Sequence, residues 1–284
     1  MPSSSLAPIL RVDRLSYCYP GSHPALRDVS FELGLNESIG LVGPNGAGKT
    51  TLLLHLNGLL PGELGAAAPR RQSAADRRDS GGSVITSDVA RGATIEVLGM
   101  PVTAATLPEV RRVVGFLFQN PDDQLFCSTV LDDVAFGPLN LGFPAGEVRR
   151  RVANCLAAVG LAGLEGRGTH ELSFGERRRV CLAGVLACEP SLLALDEPSS
   201  NLDPRARRGF IEVLRQCPAA KIIASHDLEL VLELCTRVVV LDQGRLQADG
   251  NAHDVLSDDT LMQSHGLEVP LSIRYGQRLA EPGK

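Results

Sequence analysis

Residues Gly43 to Thr50 read Gly-Pro-Asn-Gly-Ala-Gly-Lys-Thr. They satisfy G-x-x-x-x-G-K-[ST], and their flanks decide what the match means. Before them, Ser38-Ile39-Gly40-Leu41-Val42 is an apolar run of the length of a buried strand. After them, Leu52, Leu56 and Leu59 recur at helical spacing. A strand, a glycine-rich turn and a helix start make a phosphate cradle, because turn N–H groups converge on phosphate oxygens and the helix points its positive end at them. Gly43, Pro44, Asn45, Gly46, Ala47 and Gly48 are therefore expected to wrap a triphosphate, joined by Thr51 from the first helical turn. Lys49 is expected to reach the β- and γ-phosphates, and the Thr50 hydroxyl to ligate Mg²⁺.

A phosphate cradle needs an acidic element to hold the metal and activate water. Leu192-Leu193-Ala194-Leu195-Asp196-Glu197 supplies one at the end of a buried apolar run. Asp196 is suited to hold Mg²⁺ through water, and Glu197 to take the proton of the attacking water. The N-K-x-D motif by which GTPases read their base is absent from the chain.

Further apolar runs at Val113–Phe118, Lys221–Ala224 and Val238–Leu241 alternate with helical patterns at Pro204–Gln216 and Asp227–Leu234. Strands alternating with helices predict an α/β fold with a mostly parallel sheet. From Asn120 to about Ala187 the pattern is helical; Val148, Val152, Cys155, Leu156 and Val159 share one face. Short strands are expected at Ile9–Asp13, at Val29–Leu33, where apolar and polar residues alternate, and at Thr94–Leu98. The stretch from Gly62 to Gly92 is rich in Ala, Arg, Ser and Gly and is expected to be a mobile surface excursion. The tail from Gly250 to Lys284 carries no motif.

Composition narrows the function. A net charge of −5 provides no global field for nucleic acid. The arginine triplets at Arg149–Arg151 and Arg177–Arg179 read as solvated helix faces or contact surfaces. Seven cysteines without a C-x-x-C pair fit a reducing, cytoplasmic setting. There is no signal-peptide pattern and no apolar run of membrane-spanning length, so work at a membrane would need another chain as anchor.

Leu172-Ser173-Phe174-Gly175-Glu176 opens a helix upstream of Asp196. Together with the cradle and the acidic pair, it resembles the LSGGQ signature of the ATP-binding cassette family. That resemblance implies a RecA-like P-loop NTPase core over residues 9–249, with a small antiparallel β subdomain and a helical signature subdomain inserted at about 120–188. It implies ATP and Mg²⁺ as cofactors. It also implies that Ser173 and Gly175 close on the γ-phosphate held by a second subunit. By the same likeness Tyr19 would stack on adenine, and Gln119 would sense Mg²⁺ and the attacking water. Ser199-Ser200-Asn201-Leu202-Asp203 would run along the dimer seam, and His226 would bridge the γ-phosphate and Glu197. The chain departs from the pattern at Phe174, in place of Gly, and at Glu176, in place of Gln. Phe174 offers its N–H to phosphate only if its φ is negative. Ser173 and Glu176 also read as a capping box.

Gln119-Asn120-Pro121-Asp122-Asp123-Gln124-Leu125-Phe126, followed by Thr129-Val130 and Val134-Ala135-Phe136-Gly137-Pro138, resembles the energy-coupling-factor branch of importers. The LSFGE form of the signature occurs in its cobalt/nickel group. This likeness implies an ATP-hydrolysing subunit at the cytoplasmic face of the membrane, paired with itself or with a paralogous ATPase. It would grip a transmembrane coupling subunit, while a separate subunit captures cobalt, nickel or a vitamin. Phe126, Val130 and Phe136 would offer the apolar surface for that partner. The cassette of another ABC transporter, or a soluble non-transport cassette ATPase, are the alternatives.

Overall fold

Two β-sheets enclose the helix that follows the phosphate loop. The computed structural model describes residues 7–60 and 93–280, so the excursion expected at 62–92 lies outside the described residues. Strands β1 (Leu10–Cys18) and β2 (Pro24–Leu33) pair antiparallel, β3 (Ser38–Val42) enters the phosphate loop, and α1 (Lys49–Leu56) leaves it. Strands β4 (Thr94–Val97) and β5 (Met100–Pro101) complete a four-stranded antiparallel sheet in the order β2-β1-β4-β5. Strand β1 outruns the expected Ile9–Asp13 because register shifts after Val12 and Leu15, with Arg14 at φ 49°, break the alternation that a sequence pattern relies on.

Helix α2 (Leu107–Val113) leads into β6 (Val114–Leu117), and three helices follow: α3 (Val130–Asn140), α4 (Ala145–Ala158) and α5 (Phe174–Ala187). The chain then alternates through β7 (Leu192–Asp196), α6 (Pro204–Gln216), β8 (Ala220–Ala224), α7 (Leu228–Leu234) and β9 (Arg237–Asp242). The second sheet has the order β10-β9-β3-β8-β7-β6, where β10 (Arg245–Asn251) is antiparallel to β9 and the rest are parallel. Every residue of β7 and β8 is buried, which is why these strands read as apolar runs, interrupted in β8 by Lys221, whose ammonium donates to the carbonyls of Cys217 and Ala219.

Leu52, Leu53 and Leu56 of α1 pack with residues of both sheets, including Leu10, Val29, Leu192 and Ile222. The opposite face of the parallel sheet is covered by the helices from α3 onward. Three short helices, α8 (Ala252–Ser257), α9 (Asp259–Ser264) and α10 (Leu271–Ala280), end the described chain. Leu256, Met262, Val269 and Ile273 from this segment are buried in the same core as Val238 and Val240 of β9. All seven cysteines are free thiols. No helix among the described residues is long and apolar enough to cross a membrane.

Because β3, β6, β7 and β8 are parallel, their C-terminal ends lie along one edge of the sheet. The residues just past those ends are Gly43, Gln119, Glu197 and His226. An open α/β sheet places its ligand site along this edge.

Candidate nucleotide site

The phosphate loop is shaped by glycines that nothing else could replace. A Cβ on Gly43 would run into the Leu241 carbonyl, and one on Gly48, at φ 105°, would press on the Ala25 carbonyl. Helix α1 begins at Lys49 with no side chain capping its N-terminus, so its first N–H groups remain available for an anion. Lys49 Nζ donates to the carbonyls of Gly43 (2.7 Å) and Pro44 (3.0 Å), folding the ammonium over its own loop. Burial lowers the Lys49 pKa against the opposing pull of Glu197 and Asp196.

Thr50 Oγ1 donates to Asp196 Oδ2 at 2.9 Å across 146 residues of sequence. Burial pushes the Asp196 carboxyl above its ordinary range, with the Thr50 hydrogen bond working against it. A hydroxyl and a buried carboxylate side by side form the hard oxygen-donor set that Mg²⁺ takes, so the residues present fit that ion.

Glu197, one residue beyond β7, sits at φ 46°, in the left-handed region that non-glycine residues rarely adopt. Its N–H donates to Ala224 O at 2.8 Å, which seats the turn against the end of β8. Its carboxylate accepts from the His226 N–H (3.1 Å), Ser225 Oγ (3.3 Å) and Ser200 Oγ (3.4 Å). His226 Nδ1 lies 2.7 Å from Oε2. Asn201, in the loop that follows, adopts φ 60°, a conformation in which Asn stands in readily for Gly.

Tyr19 lies at the mouth of the same cleft, its hydroxyl 3.2 Å from Thr51 Oγ1. Tyr17 meets it edge-on at 4.9 Å and meets His55 at 4.5 Å. The cavity these groups enclose is about 320 Å³ and is lined by Tyr19, Ala25, Asn45, Gly46, Ala47, Gly48, Lys49, Thr50, Thr51, Gln119, Asp196 and Glu197. Gly43 and Pro44 take part through the carbonyls that hold Lys49.

Ser173 and Gly175 do not line this cavity. They sit at the N-terminus of α5, where Ser173 is exposed. The capping box forms: the Ser173 N–H donates to Glu176 Oε2 (2.8 Å) and the Glu176 N–H donates to Ser173 Oγ (3.3 Å), while Ser173 Oγ also donates to Glu176 Oε2 (2.7 Å). Those hydrogen bonds from Ser173 hold the Glu176 carboxyl below its ordinary range. Phe174 is the first residue of the helix and its φ is negative, so its N–H points with the others at the helix start.

Two expectations from sequence need correction. The arginine triplet in α5 is not a solvated face, because Arg178 is fully buried. Arg178 donates to the carbonyls of Phe118, Gln119, Asp196, Glu197 and Pro198. Arg177 pairs with Asp122 at 3.3 Å, and Arg179 donates to Val159 O at 3.0 Å. The periodicity held the signal: Arg178 shares the helix face of Cys181, Leu182 and Val185, three buried residues of α5. Val130, expected on an apolar partner surface, is fully buried at the start of α3 and packs inside the helical layer. Phe126 and Phe136 do stand out, at 66% and 47% exposed, with their rings edge-to-face at 4.6 Å.

Comparison with known proteins accords with this geometry. The ABC transporter family model matches residues 26–200. An ABC transporter ATP-binding protein of Geobacter sulfurreducens, whose name goes no further than that function, is 49% identical over 94% of this chain and 96% of its own length. The energy-coupling factor transporter ATP-binding protein EcfA of Methanothermobacter thermautotrophicus is 40% identical over 95% of this chain and 79% of its own. Among solved structures, cbiO1 of Clostridium perfringens, described as part of the ABC transporter complex cbiONQ, superposes with a TM-score of 0.71. It is 30% identical and covers 97% of this chain and 100% of its own. The chain thus belongs to the ABC transporter family, as its ATP-binding and ATP-hydrolysing subunit.

Proposed function

We propose that this chain is the ATPase of an energy-coupling-factor importer, bound to the inner side of a membrane through its partners and powering uptake of a micronutrient, cobalt or nickel ion. The observation that carries this reading is the exposed Phe126–Phe136 pair. It lies on the segment that runs from Gln119 into α3, and it lines a groove together with Arg112, Phe116 and Val185. A partner helix seated there would feel the strand end that carries Gln119. The names of the EcfA relative and of a Rhodobacter capsulatus relative, the cobalt import ATP-binding protein CbiO (40% identical over 94% of this chain), support the importer class and the metal.

In this reading Lys49 exchanges the Gly43 and Pro44 carbonyls for phosphate oxygens when ATP enters. Tyr19 carries the adenine, and the free N–H groups of α1 take the phosphates. Thr50, Asp196 and Gln119 hold Mg²⁺, which when bound neutralises charge on the transferring phosphoryl group. Glu197 takes the proton of the attacking water, and His226 fixes its carboxylate. Ser173 and Gly175 of a second subunit close the site from outside. Closure on ATP and reopening after hydrolysis would drive the membrane partner. The pairing, with itself or with a paralogue, follows from a chain that carries both halves of a site.

Affinity purification of this chain from detergent-solubilised membranes of its own host tests the proposal. A transmembrane coupling subunit and a small capture subunit, with cobalt or nickel in the preparation, are expected. Copurification with an unrelated permease, or with ribosomes, would overturn it.

A further inference from the structure

Helix α5 presents Ser173 and Gly175 at its N-terminus, and one turn further in it carries Arg178. The guanidinium is 0% exposed, and burial pulls its pKa down to about 10. All five of its N–H groups are engaged, and each ends on a main-chain carbonyl. Nε donates to Pro198 (3.2 Å), Nη1 to Gln119 (2.8 Å) and to Phe118, and Nη2 to Asp196 (2.9 Å) and Glu197 (2.7 Å). Among the described residues it makes no ion pair with a carboxylate. A buried cation is costly, and simple core packing would be served by Leu or Met.

The five carbonyls belong to only two places. Phe118 and Gln119 follow the end of β6, while Asp196, Glu197 and Pro198 are the end of β7 and its turn. The turn includes Glu197 at φ 46°, a conformation that persists where its surroundings fix it. Only a planar fork reaches both strand ends at once; a lysine offers a single point of donation.

We propose that Arg178 is a positioning residue that locks the main chain at Gln119 and at Asp196–Glu197 to helix α5. The chain's own ATP site and the signature face it offers to a second subunit then move as one body. This inference rests on the roles given above to Gln119, Glu197 and Ser173. Removing the fork should leave ATP binding in place and misplace both the catalytic carboxylate and the signature helix.

The test uses the full-length chain, with thermal melting to measure the folded fraction. Arg178→Gln is expected to change the KM for ATP less than about threefold while lowering kcat about 10²-fold, the size of loss that a displacement near 1 Å produces. Arg178→Lys, which keeps the charge and part of the donor set, should recover about tenfold of that loss. In a Glu197→Gln background, adding Arg178→Gln should lower the dimer fraction at saturating ATP by about tenfold, read by size-exclusion chromatography. Wild-type kcat per folded molecule in Arg178→Gln, or an undiminished ATP-bound dimer, would overturn the inference. Should Arg178→Gln not fold, wild-type kcat per folded molecule in Arg178→Lys would overturn it equally. A Glu197→Gln chain that hydrolyses ATP at the normal rate overturns the reading of the site itself. An inactive Glu197→Gln beside a fully active Arg178→Gln overturns the coupling alone.

Discussion

His226 Nδ1 lies 2.7 Å from Glu197 Oε2 while the main-chain N–H of the same histidine lies 3.1 Å from Oε1. One residue at the end of β8 thus holds both oxygens of a carboxylate at the end of β7. The aim of that carboxylate is set by the spacing of two adjacent parallel strands, which pair from Leu192↔Ala220 to Asp196↔Ala224.

Glu197→Gln keeps the size and most of the hydrogen-bonding capacity of the side chain and removes the base. ATP affinity is expected to stay within about threefold of wild type while turnover falls at least about 10²-fold. The ATP-bound dimer should then accumulate on size-exclusion chromatography. Turnover at the wild-type rate would assign the base elsewhere.

Asp196→Asn leaves Thr50 Oγ1 an oxygen to donate to but removes the negative charge from the pair. The Mg²⁺ concentration for half-maximal ATPase activity should rise by about 10- to 100-fold, the range found when a carboxylate supporting a metal is lost. An unchanged Mg²⁺ titration would place the ion on other ligands.

His55 gives a pH dependence with a definite sign. It is fully buried, Nδ1 is 2.7 Å from Thr51 O, and Nε2 has no hydrogen-bond partner. Burial lowers its pKa below the ordinary value. Below about pH 6.5 the unfolded chain gains a proton that the folded chain resists, so this residue's contribution is present above that pH and lost as pH falls. Melting temperatures of wild type and His55→Phe, compared from pH 7.5 to 5.5, should show the smaller drop in the variant. Parallel curves would show that His55 titrates alike in both states.

Phe126→Ser and Phe136→Ser remove exposed rings that no core depends on. Stability should change by about 0.5 kcal/mol or less, and ATPase activity of the isolated chain should be unaffected. Copurification of the membrane partner should be lost. Retention of the partner by the double variant would move the docking surface elsewhere.

Much of this arrangement is legible in the sequence because buried parallel strands write themselves as apolar runs. Leu192–Asp196 and Ala220–Ala224 could be little else, and Asp196, Glu197 and His226 fall where those runs stop. Gly43 and Gly48 are legible for a similar reason, since each marks a place where another stretch of backbone approaches closely. What escaped has physical causes too. Arg178 is hidden because a charged residue on an apolar helix face contradicts the pattern unless the carbonyls that receive it are already known. Helices α8 and α9 are six residues each, too short for a period of 3.6 to repeat. The Tyr17–Tyr19–His55 contact joins two elements that only the fold brings together.

The grip of Arg178 is on carbonyl oxygens, and every amino acid has one. The path of the main chain at Gln119, Asp196 and Glu197 therefore depends less on which side chains those residues carry. A variant at Glu197 or Gln119 should keep the wild-type path of the main chain, so that its kinetics report on the missing functional group and not on a collapsed turn.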